Sequence, residues 1–163
     1  MILFARELGG WRVEASDLQF GYLGEFGLPP TISLQPVGPE RYGLFIPAFF
    51  GSTGVALNSI TIVIPRGGAF LKVFEEQIAG SSDYGCSGTA AEERVNECVE
   101  YDGAFDLAPD SHGEYYDLLL TRRVYRSFSN KDPVNTTVTR YRFNGMNYAP
   151  VGKPSTAALK SPN

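Results

Sequence analysis

The sequence predicts an all-β domain of antiparallel strands packed as a sandwich, crescent or partial propeller, with one short helix near residues 89–98. Three observations carry that reading. Nine Tyr and 11 Phe accompany many β-branched residues, which fit a pleated, half-buried surface. Eighteen Gly and 11 Pro punctuate the chain with turns. Short β-type runs alternate with those turn signals at intervals of about ten residues.

The runs follow in order. Gly10–Glu14 and Thr31–Leu34 are early strands, separated by the Gly-rich aromatic stretch Phe20–Gly27. Tyr42–Ile46 follows a Gly38-Pro39 turn, and Ser59–Ile64, nearly continuous in β-branched residues, is the most buried strand expected. It stops at Pro65-Arg66-Gly67-Gly68. Ala69–Ile78 returns from that turn, with an imperfect alternation that places Phe70, Lys72, Phe74 and Glu76 on one face. Tyr101–Leu107, Tyr115–Tyr125 and Thr136–Phe143 complete the series, and Asn144-Gly145 turns the last of them into Met146–Pro150. These runs form one domain over residues 1–151, and the Pro/Ser/Ala/Lys-rich residues 152–163 read as a disordered tail.

Gly85-Cys86-Ser87-Gly88-Thr89-Ala90-Ala91-Glu92-Glu93-Arg94-Val95-Asn96-Glu97-Cys98 contains both cysteines of the chain. Thr89 and Glu92 make a capping box, so the segment between the thiols is the helix expected. Zinc requires four Cys/His ligands where the chain has two Cys and a single His112, and the Cys-x-x-Cys spacing of a redox pair is missing. A Cys86–Cys98 disulfide is the favoured reading; two unlinked buried thiols are the alternative. Closing that loop contributes about 3 kcal/mol in the chain-entropy description. A disulfide directs the protein to an oxidising compartment, periplasmic or secreted, with any signal peptide lying outside this sequence.

A net charge of −4 disfavours a nucleic acid or an anionic membrane as partner and suits a basic protein. No apolar run reaches the length of a membrane span. His112 lies in the turn-like Asp110-Ser111-His112-Gly113, without a nucleophile elbow, P-loop or dinucleotide fingerprint anywhere. The expectation is therefore a non-enzymatic protein without cofactor or metal.

Asp106-Leu107-Ala108-Pro109-Asp110-Ser111-His112-Gly113-Glu114-Tyr115-Tyr116-Asp117-Leu118-Leu119-Leu120 resembles an FG-GAP-type propeller blade, in which an acidic Gly-containing loop precedes Asp-Leu and an apolar strand. Phe20-Gly21 and Phe26-Gly27 are similar to that family's aromatic-Gly turns, and Tyr141–Tyr148 to the closing hairpin of small bacterial envelope proteins with such blades. In the family the loop carboxylates bind calcium at tight spacing; Asp106, Asp110 and Asp117 are more widely spread. The resemblance extends to periplasmic β proteins that include secretion-system immunity proteins and lysozyme-type inhibitors. It implies a binding protein that inhibits a basic cell-wall hydrolase.

The plug for such a cleft is Gly80-Ser81-Ser82-Asp83-Tyr84-Gly85, read as a loop in which Ser81, Ser82 and Asp83 carry polar groups and Tyr84 is the anchor. Arg122-Arg123-Val124-Tyr125-Arg126-Ser127-Phe128 is a second surface, with Arg123 and Tyr125 typical of binding hot spots. The alternatives are an extracellular calcium- or glycan-binding module, displaying Tyr22, Tyr115 and Tyr116, and a small secreted hydrolase using His112.

Overall fold

A computed structural model describes residues 1–17, 29–52, 55–82, 100–109, 113–125, 133 and 135–156, and all regular structure among them is strand. A hairpin of β1 (Ile2–Glu7) and β2 (Gly10–Ser16) opens the chain. A meander follows: β3 (Ser33–Gly38), β4 (Arg41–Ser52), β5 (Val55–Arg66), β6 (Ala69–Ser82), β7 (Glu100–Ala108), β8 (Asp117–Tyr125), β9 (Asn135–Phe143) and β10 (Tyr148–Pro150), each antiparallel to the next. β11 (Ser155–Thr156) completes a nine-stranded sheet by pairing with β9. The sheet is not closed into a barrel.

The long meander buries its apolar residues by folding over. β6 and β7 are joined only at Gly80↔Tyr101 and Ser81↔Glu100, which lets β3–β6 and β7–β10 diverge and face each other. Phe45 of β4 stacks on Phe105 of β7 with centroids 5.4 Å apart, and Phe74 of β6 meets the Tyr148 ring of β10 edge-on. Val37, Ile60, Ile62, Ile64 and Leu118 fill the space between. Each such side chain removed from water contributes about 1.5–3 kcal/mol. The two layers meet closely at glycines. A Cβ on Gly38 would collide with the Glu114 carbonyl, and one on Gly103 with the Ile78 carbonyl. The Tyr116 amide donates to the Val37 carbonyl at 2.7 Å across the same seam.

On the back of β4–β6 lies a smaller cluster of Leu44, Ile46, Val63 and Phe70. The β1–β2 hairpin covers it with Ala15, Leu3 and Met1, and Ser16 N–H donates to the Gly68 carbonyl. The hairpin's other residues Phe4, Trp11 and Val13 are exposed. A two-stranded hairpin is marginal alone in water, so this docking is what holds it.

The all-β antiparallel architecture expected from sequence is present, and Ile60–Ile64 is the most continuously buried run. Several elements differ from expectation. β1 was not foreseen. Phe70 and Phe74 lie in different clusters, although even spacing places them on one face. A β-bulge at Val73 is the reason: Ile62 pairs with Phe74 and Val63 with Lys72, so one extra residue on β6 reverses the faces. β6 also runs on through Gly80, Ser81 and Ser82, which the sequence reading assigned to a loop. Tyr115 precedes β8 and is buried against Phe143, not displayed. Asn144-Gly145 belongs to a four-residue turn in which the Asn144 side chain accepts from the Met146 and Asn147 amides at 2.9 Å. Ser155 and Thr156, inside the stretch read as tail, pair with Val138 and Thr137. The helix expected near 89–98, the Cys86–Cys98 pair, Asp83 and Tyr84 lie outside the described residues.

Candidate functional site

A meander sends alternate connections to the same end of its sheet. β4 and β6 end there at Ser52 and Ser82, β5 and β7 start there at Val55 and Glu100, and β8 ends and β9 starts there at Tyr125 and Asn135. Register turns this end into rows. Ala56 pairs with Ser81, Ser81 with Glu100, and Glu100 with Tyr125. Ser81 and Tyr125, taken from separate stretches of sequence, thus stand two strands apart, about 10 Å. Two residues further along the strands Asp102 pairs with Arg123, and Arg123 with Thr136.

The Asp102 carboxylate organises the outer face of this end. Arg123 Nη1 donates to it at 3.2 Å and the Tyr125 hydroxyl at 3.1 Å. Partial desolvation and this hydrogen bond raise the Tyr125 phenol above its ordinary value, so it remains a neutral donor. The Asp102 and Arg123 side chains are 48% and 42% exposed, so solvent screens the pair and water reaches it.

Arg122, next in sequence, points the other way because successive strand residues alternate. Its guanidinium lies 5.4 Å from the Tyr101 ring centroid, Nη2 donates to the Gln77 carbonyl at 2.8 Å, and the same atom is 3.8 Å from Glu76. The Tyr101 hydroxyl donates to Gln77 Oε1 at 3.0 Å, and its ring lies against Gly80, where a Cβ would stand 2.8 Å from ring atoms. Glycine is therefore required at 80 by the aromatic neighbour. Phe49 and Phe50 are exposed at the same strand end. The end of the sheet thus presents aromatic rings, arginines and carboxylates held in place by one another. That composition is suited to macromolecular contact, since rigid aromatic and Arg side chains lose little freedom on binding.

Of the residues singled out from sequence, the structure brings Ser81, Arg123 and Tyr125 to one end, and Ser82 closes β6 beside them. Arg122 was part of the surface read from sequence, whereas Gln77, Glu100, Tyr101 and Asp102 were missed. The pairing of Asp102 with Arg123 carries no sequence signal, because β7–β8 register alone makes them neighbours.

Asp117 and Asp106 do not converge as calcium ligands. Asp117 is buried in β8, where it accepts from Arg140 Nε at 2.6 Å and from Arg142 Nη2 at 3.1 Å. Burial opposes its charge, but the hydrogen bonds and charges of Arg142 and Arg140 outweigh that and hold the carboxyl below the usual range. Asp106 is exposed on β7, while Asp110 and His112 are outside the described residues. Among the described residues no three His, Cys, Asp or Glu side chains converge as a metal site would require. Among them, too, no helix is long and apolar enough to cross a membrane.

With this geometry in hand, comparison with known proteins adds no relative: no family model, curated protein or solved structure matches the chain.

Proposed function

We propose that this chain is a periplasmic or secreted binding protein that inhibits a basic cell-wall hydrolase, contacting it through the sheet end built by Ser81, Glu100, Asp102, Arg123 and Tyr125. The single observation that carries the reading is the Asp102–Arg123–Tyr125 constellation, half-exposed on the outer face of β7 and β8. Aromatic and arginine anchors beside exposed carboxylates favour a protein surface of opposite charge, and a net charge of −4 steers such a partner. The chain acts by occupying the partner's cleft, not by catalysis. Asp83 and Tyr84, which follow Ser82 directly in sequence, and a Cys86–Cys98 disulfide belong to the same reading.

Ser81 lies within the sheet, paired with Ala56 and Glu100, so the outer-face residues Arg123 and Tyr125 are the better probes. The full chain is mixed with a purified basic lysozyme-type hydrolase and with envelope extract, and capture and hydrolase activity are measured. Binding and inhibition by the wild type, weakened at least about tenfold in Arg123→Ala/Tyr125→Ala, support the proposal. Undiminished binding by that variant, or absence of hydrolase binding and inhibition, defeats it.

A further inference from the structure

A cleft of about 240 Å³ opens between β6 and the β9–β10 hairpin, lined by Lys72, Phe74, Glu75, Glu76, Tyr141 and Asn147 together with Tyr148 and Pro150. Its apolar part is aromatic. Phe74 and Tyr148 are almost fully buried, and Phe74 meets the half-buried Tyr141 edge-on at 5.1 Å. Its polar part consists of charges already answered. Lys72 pairs with Glu75, and Glu76 accepts from the Tyr141 hydroxyl at 3.4 Å with Arg122 at 3.8 Å. The Asn147 carboxamide oxygen accepts from Asn144 Nδ2 at 2.8 Å, which orients the amide and leaves its own N–H groups for another acceptor.

This arrangement discriminates between ligand classes. An anion would meet two carboxylates. A cation would compete with Lys72 and Arg122 for acids they already neutralise. A wholly apolar ligand would strip water from the ion pairs without replacing its hydrogen bonds. A neutral polyhydroxylated ring meets every condition. Each hydroxyl both donates and accepts, so it can donate to Glu75 or Glu76 while accepting from Lys72 or Asn147, and charge-assisted hydrogen bonds are the stronger kind. The ring's C–H face rests on the aromatic wall.

We propose that this cleft binds a single neutral sugar residue, such as the terminal pyranose of an oligosaccharide. The site is separate from the partner surface at the sheet end and stands without it.

Titration of the ¹⁵N-labelled full chain with glucose, galactose, mannose and N-acetylglucosamine at millimolar concentration tests it. The expected result is saturable shifts of the amides of Lys72–Glu76, Tyr141 and Asn147–Tyr148 and of the Asn147 side-chain amide with at least one sugar. Asn147→Ala and Glu76→Gln should each weaken that binding by about tenfold, the loss of roughly one hydrogen bond. The same spectra show whether each variant stays folded, and Asn147 is exposed on a turn, where truncation is tolerated. Absence of saturable shifts with all the sugars overturns the proposal, as does binding unchanged in both folded variants. Arg123→Ala/Tyr125→Ala should leave sugar binding intact, and loss of sugar binding in that variant would also overturn it.

Discussion

Two acid–arginine constellations occupy the same outer face of β7–β9, at opposite ends of β8. Asp117 and Asp102's partner Arg123 are six positions apart on that strand, about 20 Å. At one end the Asp117 side chain is 2% exposed, clasped by Arg140 and Arg142 from β9. At the other, Asp102 is nearly half exposed and shares its oxygens between Arg123 and the Tyr125 hydroxyl. The residue types are almost the same; water is not. A carboxylate removed from water depends on its arginines, and losing them leaves a buried charge uncompensated. A carboxylate that keeps its water loses little when its arginine turns to another partner. The buried cluster therefore belongs to the architecture, and the exposed one is free to be spent on recognition.

The largest effect expected from breaking this contrast is at the buried end. Arg140→Ala/Arg142→Ala removes both arginine partners of Asp117 and should cost about 3–5 kcal/mol in denaturant unfolding. A loss under about 1 kcal/mol would mean that Asp117 is solvated after all.

Next comes Asp117→Asn, which keeps the shape but removes the charge, at roughly 2 kcal/mol near neutral pH. Its pH dependence has a definite sign. The folded carboxyl titrates below the unfolded value of about 3.9, so its contribution is complete above that value and is lost as pH falls through the depressed folded one. The stability gap between wild type and Asp117→Asn should therefore close on acidification. Thermal melts at a series of acid pH values check this, and a gap that widens would contradict it.

The smallest stability effect belongs to the exposed end. Asp102→Asn should cost less than about 1 kcal/mol in the same unfolding measurement. Yet it should weaken capture of the hydrolase partner at least about fivefold, because it releases both Arg123 and Tyr125 from a fixed geometry. A large stability loss without an effect on capture would reverse the roles of the two clusters.

The local pattern of the chain determined its class. Alternating aromatic and β-branched runs between Gly/Pro turns can bury an apolar face only as strands, and Ser59–Ile64, Tyr101–Leu107 and Thr136–Phe143 correspond closely to β5, β7 and β9. Pattern did not reach the exceptions. The bulge at Val73 depends on pairing with β5, so the faces of Phe70 and Phe74 are set by the register of the preceding strand, not by their own spacing. Ser81 looks like a loop residue, since small polar residues favour turns, but β5 and β7 supply strand partners on both sides.

The candidate sites follow the same division. Arg123 and Tyr125 were legible because Arg and Tyr are the residue types that recognition uses, and they fall in one short run. Asp102, Glu76 and Asn147 were not, because an isolated acid or amide carries no signal until something is placed beside it. Composition and periodicity, which act along the chain, decided that these residues would be strands. Register and the folding of the sheet on itself, which act between distant segments through packing and hydrogen bonding, decided which acid would be buried, which would stay exposed, and where a cleft would open.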